Sequence, residues 1–116
     1  MRHYKKYRVW QLAHRVVLDT YAIADRLPAS ESYGLATQMR RASVSITSNI
    51  AEGSGRGSDA DFRRFLLMAT GSVNELESQL LIVRDLNLGK VDGIEPLLGK
   101  VNQVRQHLIR LVRAAR

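Results

Sequence analysis

Apolar residues recur along this chain in steps of three and four, with polar residues filling the gaps. Leu35, Met39, Ala42, Ile46, Asn49 and Gly53 follow one such stripe. Phe62, Leu66, Ala69, Val73, Leu76, Leu80 and Val83 follow a second, and Ile94, Leu97, Val101, Val104, Leu108, Leu111 and Ala115 a third. Val9, Leu12, Val16, Ile23 and Leu27 mark a fourth, widened by Trp10, Ala13 and Val17. Such steps return a side chain to the same face of an α-helix, so each stripe predicts one amphipathic helix. The predicted helices span 9–27, 33–53, 59–88 and 93–115, within a single domain of residues 1–116.

The boundaries have chemical reasons. Pro28 ends the first helix, because proline disfavours helical geometry in the residue before it. Ser30 or Ser32 stands where a side chain caps the second. Gly53, Gly55 and Gly57 end that helix, since glycine takes the left-handed conformation used at helix C-termini. Ser58 is the N-cap of the third, with Asp61 at the capping-box position and Asp59 and Asp61 both favoured by the helix dipole. Asn87 and Gly89 close it. Asp92 and Glu95 form a capping box for the fourth, and Pro96 is tolerated in its first turns. Four amphipathic helices with short connections pack most simply as an all-α, antiparallel up-down-up-down four-helix bundle.

One helix carries unusual polar residues. Gln38, Arg41, Ser45, Ser48 and Glu52 form a polar stripe beside the apolar one, and Asn49 falls on the apolar stripe itself. A polar group there must find a partner or cost about 1–3 kcal/mol. Arg41, Asn49, Glu52 and Glu75 are therefore read as a structural polar cluster. Asn49, Glu52 and Glu75 are expected to be buried and bonded to Arg40 or Arg41, so that removing Glu75 costs roughly 3 kcal/mol or more. The other reading of the same residues is a ligand or partner site. Gly71, costly in mid-helix by about 1 kcal/mol relative to alanine, is expected where the second helix approaches closely.

The segments SVSITSNIAEGSGR and DFRRFLLMATGSVNELESQLLI carry a resemblance. Ser45-Ile46, Asn49 to Gly53, Phe62 to Phe65, and Gly71-Ser72 with Glu75-Leu76-Glu77 are its most specific pieces, and it runs from about Val9 to about Asp92. The chain resembles the 23S rRNA intervening-sequence proteins, four-helix bundles related to the accessory variability-determinant proteins of diversity-generating retroelements. The resemblance implies a homopentameric ring and no known enzymatic activity. Nucleic-acid and reverse-transcriptase binding belongs to the retroelement branch, to which no residue of this chain assigns it.

Composition narrows the chemistry. The chain has no cysteine, which excludes disulfides and cysteine metal sites and fits a cytoplasmic protein. No apolar run approaches the roughly 20 residues of a membrane span, and the basic MRHYKKYRVW start has no apolar region behind it, so it is not a signal peptide. Gly93 to Lys100 has the wrong spacing for a phosphate loop, and Val101 stands where a hydroxyl should bind magnesium. GSGRG at Gly53 to Gly57 follows a helix rather than a strand, which removes the dinucleotide reading. His3, His14 and His107 are scattered, and no Glu is followed three residues on by His, as a di-iron bundle needs. No metal or cofactor is expected.

The formal net charge is +7, and the antiparallel topology says where it goes. One end of the bundle collects Arg2, Lys5, Lys6, Arg8, Arg56, Arg63, Arg64, Arg110, Arg113 and Arg116 against Glu52, Asp59 and Asp61, which accounts for the whole +7. Tyr4, Tyr7 and Trp10 interleave with the N-terminal cations, as in surfaces that stack on bases, although Trp10 beside Val9 also suits the core. Met68, Leu81 and Ile82 lie off the main stripe of the third helix and suggest an interface. The leading expectation is a non-enzymatic, oligomeric binding or scaffold protein whose partner is a second copy of itself. The alternative is a weak, sequence-nonspecific nucleic-acid-binding module for RNA or DNA, with a reverse-transcriptase accessory role in view. An enzyme of unknown type comes third.

Overall fold

Helix α3 (Asp59–Leu86) is the longest element, at 28 residues, or about 42 Å at 1.5 Å per residue. That length sets the 44 Å long axis of the molecule. In the computed structural model, which describes residues 3–115, α3 packs with α1 (Arg8–Ala24), α2 (Leu35–Ser54) and α4 (Ile94–Ala114). Single 3-10 turns lie at Tyr4–Lys6, Ala29–Glu31 and Leu88–Lys90, and no strand occurs among the described residues. Each helix packs against two antiparallel neighbours, and the diagonal pairs stay apart. This is the up-down-up-down bundle that the periodicity predicts.

The core follows the stripes. Leu66, Val73, Leu76 and Leu80 of α3 are fully buried, as are Val101, Val104 and Leu108 of α4 and Met39 and Ile50 of α2. Each such side chain contributes about 1.5–3 kcal/mol of transfer free energy. On α2 the buried stripe continues from Ile46 to Ile50 rather than to Asn49, which is only half-buried.

Several boundaries differ from expectation. α1 ends at Ala24, and Leu27 is buried from a turn, with its N–H donating to the Ala24 carbonyl at 3.2 Å. Neither Ser30 nor Ser32 caps α2; its N-cap is Gly34, with no side-chain bond. α4 begins after Gly93, and the Asp92–Glu95 capping box does not form. Ser58 does cap α3, its Oγ accepting from the Asp61 N–H at 3.1 Å.

The glycine run after α2 also works differently. Gly55 is right-handed at φ −87°, and the positive φ angles among the described residues belong to Asn87, Gly89, Lys90 and Gly93. Gly53 instead makes close packing possible, since a Cβ there would lie 2.6 Å from the Phe65 Cβ. Gly71, expected at such an approach, meets nothing within 4 Å. Gly89, at φ +66°, brings the α3–α4 connection against the Arg26 carbonyl, 2.5 Å from where a Cβ would stand.

Candidate nucleic-acid interface

Antiparallel packing brings the start of α1, the end of α2, the start of α3 and the end of α4 to one end of the bundle. The N-terminal segment is fastened there by its aromatics. Tyr7 stacks on Phe62 of α3 with centroids 6.0 Å apart, and Tyr4 meets Trp10 edge-on at 5.2 Å. Gln11 Nε2 donates to the Lys5 carbonyl at 3.0 Å. These contacts hold Lys5 and Lys6 beside the end of α2, where His3, Tyr4, Lys5, Lys6, Ala51 and Ser54 line an open groove of about 540 Å³.

The predicted basic residues separate into three groups. Arg2 and Arg116 lie outside the described residues. Arg56 and Arg64 are structural: both guanidinium groups sit 4.6 Å from the Phe65 ring centroid. Arg64 pairs with Asp61 at 2.9 Å, and Arg56 reaches Glu52 at 3.4 Å and Asp61 at 3.7 Å. Lys5, Lys6, Arg8, Arg63, Arg110 and Arg113 form no ion pair among the described residues. All but the half-buried Arg63 are exposed. Arg8 opens α1 without an acidic residue in the first turn, where the helix dipole opposes positive charge. Arg113, in the last turn of α4, is favoured by the dipole.

The field of this cluster reaches His107. Burial holds its imidazole below the ordinary value of 6.5, and the positive charges of Arg110 and Arg8 lower it further. Arg8 of α1 and Arg110 of α4 therefore act on the same small volume. Histidine in α4 carried no functional signal in sequence, because its position relative to Arg8 depends on the α1–α4 pairing.

The structural polar cluster does not close within the chain. Arg41, Glu52 and Glu75 are exposed and Asn49 is half-buried. Asn49 Nδ2 donates to the Ser45 carbonyl at 2.9 Å and to Ser45 Oγ at 3.1 Å, and Ser45 Oγ shares a 2.8 Å hydrogen bond with Ser72 Oγ of α3. Small hydroxyls thus join α2 to α3, where charged residues were expected to. Arg40 pairs instead with Asp25, at 2.6 Å. Glu75 and Arg41 face an open groove with Gln38 and Ser45, so the expected buried ion pair does not form among the described residues. The half-buried pair that sequence reasoning missed is Arg105–Glu77, at 2.8 Å between α4 and α3. Arg105 also donates to Asn74 at 3.2 Å and Asn102 at 2.9 Å.

Among the described residues no helix is long and apolar enough to cross a membrane, and no group of three His, Cys, Asp or Glu could hold a metal. None of the curated proteins matches the chain. A crystal structure from Bacteroides thetaiotaomicron, of a protein of unknown function from the S23 ribosomal protein family, shares the fold. Its TM-score is 0.81 at 20% identity, over 90% of this chain and 98% of that one. Residues 5–110 match the family described as 23S rRNA-intervening sequence protein. With its four-helix fold and a match over nearly its whole length, the chain belongs to the 23S rRNA-intervening sequence protein family.

Proposed function

We propose that the protein is a non-enzymatic, self-associating scaffold that holds nucleic acid by its phosphates at the basic end of the bundle. One observation carries this reading. Six cations from the N-terminal segment, α1, α3 and α4 gather at one end without a carboxylate partner among the described residues. Unneutralised charge of one sign raises the local concentration of anionic partners. Self-association draws support from α3, where Leu67, Met68 and Ile82 remain 45%, 46% and 44% exposed. Apolar surface of that kind marks interfaces. A closed ring, the homopentamer that the resemblance implies, would repeat the basic end about its axis. An accessory role beside a reverse transcriptase, in the cytoplasm, would use the same end.

The test is binding of a labelled RNA or DNA at low and moderate salt. Wild type is compared with the charge-reversed protein carrying Lys5→Glu, Lys6→Glu, Arg110→Glu and Arg113→Glu. Wild-type affinity should fall steeply with salt, with a logarithmic slope of about −0.7 to −0.9 per phosphate contacted. Sequence preference should be weak, since backbone contacts do not read bases. The variant should lose binding with an unchanged helical circular dichroism spectrum. Equal binding by both proteins, or none by wild type at low salt, overturns the reading.

A further inference from the structure

A second surface leads away from the basic end, between α1 and α4. It is an open groove of about 500 Å³, lined by Arg8, Trp10, His14, Arg15, Lys100 and Gln103 among others. Its aromatic wall is ordered. The His14 imidazole stacks on the Trp10 indole with centroids 5.0 Å apart and planes within 15°, and Tyr4 also meets Trp10, edge-on. His14 is exposed and Trp10 half-buried, so the column ends on an imidazole open to the groove.

The charges beside the column are unequal. Lys100 is engaged by Asp19 at 2.6 Å, which neutralises that end of the groove. Arg8 and Arg15 form no ion pair among the described residues. They lie seven residues apart on α1, about 10 Å along the helix axis. Gln103, exposed on the α4 side, offers both a donor and an acceptor. Arg8 belongs both to this groove and to the basic cluster at the end of the bundle.

We propose that this groove selects single-stranded over double-stranded nucleic acid by stacking an unpaired base on the Trp10–His14 column while Arg8 and Arg15 hold the flanking phosphates. The proposal deepens the basic-end reading and rests on it. A duplex keeps its base faces stacked on one another and cannot extend the column. A single strand can, because its bases are free to splay onto aromatic platforms and every base has a π-face. Charge alone predicts the opposite order, since a duplex carries the denser array of phosphates. Strand preference therefore separates stacking from simple attraction.

Trp10 is the only tryptophan of the chain, so its emission reports on the column. The experiment titrates the full-length protein with labelled oligothymidylate and with a duplex of equal length at low salt. Anisotropy and tryptophan emission are read together. Wild type should bind the single strand at least tenfold more tightly than the duplex, with Trp10 emission quenched by the single strand alone. His14→Ala, at an exposed position, should weaken single-strand binding by about tenfold, the effect of losing one stacked base, and leave duplex binding unchanged. Arg8→Gln with Arg15→Gln should weaken the single strand further. If the duplex binds as well as the single strand, or His14→Ala and Trp10 emission are silent, the groove proposal falls. The basic-end reading then still stands, provided charge reversal at Lys5, Lys6, Arg110 and Arg113 removes binding. No binding to either probe overturns both.

Discussion

Two glycines show how differently one residue type acts at two sites. A Cβ at Gly53 would stand 2.6 Å from the Phe65 Cβ and 3.3 Å from Phe62 Cδ1. The nearest atom is the Cβ of Phe65, fixed to the backbone of α3, so it cannot give way by a rotation of the side chain. Gly53→Ala should therefore destabilise by about 1–3 kcal/mol, as overpacking does, despite the better helix propensity of alanine. At Gly71 a Cβ meets nothing within 4 Å. In an isolated protomer Gly71→Ala should stabilise by about 0.5–1 kcal/mol. If a second copy packs on α3 at this point, the same change should instead lower the assembled fraction. Urea unfolding and light scattering on the two variants decide. An unchanged midpoint for Gly53→Ala would show that α2 and α3 part more readily than their contact suggests.

At the scale of elements, what was legible in the sequence was the direction of burial. The stripe on α3 is buried as written, and that on α4 from Ile94 to Leu108, with Leu111 half-buried, because a long helix repeats its face many times and a single misplaced residue changes little. The ends were less legible. Leu27 has the right spacing and is buried, yet it sits in a turn beyond α1; burial constrains where a side chain goes, not the backbone that carries it. The polar pairing was least legible, since exposure of Glu75 or Glu77 depends on a rotation of α3 that the pattern does not resolve. The two residues give the prediction. Glu77, half-buried against Arg105, ties α3 to α4, and Glu77→Ala should cost about 1–2 kcal/mol, between the values for exposed and buried pairs. Glu75→Ala removes an exposed carboxylate and should stay within about 0.5 kcal/mol. Thermal unfolding of both proteins side by side checks the order, and a larger effect at Glu75 would mean that another chain covers it.

At the scale of the whole molecule, the asymmetry of charge has a consequence for pH. His107 lies where the fields of Arg110 and Arg8 converge, and burial together with those charges holds its imidazole below 6.5. The unfolded chain lacks that arrangement and takes up the proton near the ordinary value. Below about pH 6.5 the unfolded state therefore binds more protons than the folded one, and stability falls as the pH is lowered until the folded group also titrates. Unfolding measured between pH 7 and pH 5 should show this loss, and His107→Gln should remove the part that histidine contributes. The same imidazole reports on binding. A phosphate held by Arg8 or Arg110 offsets their positive charge and removes one cause of the depression, so nucleic acid at the basic end should raise the His107 value. Titration of its ring resonances by NMR, with and without a short oligonucleotide at low salt, measures the change. An upward shift is expected in wild type and not in the charge-reversed protein. If the strand binds and His107 does not move, the phosphates sit away from the junction of α1 and α4, and Arg8 and Arg110 are not the groups that hold them.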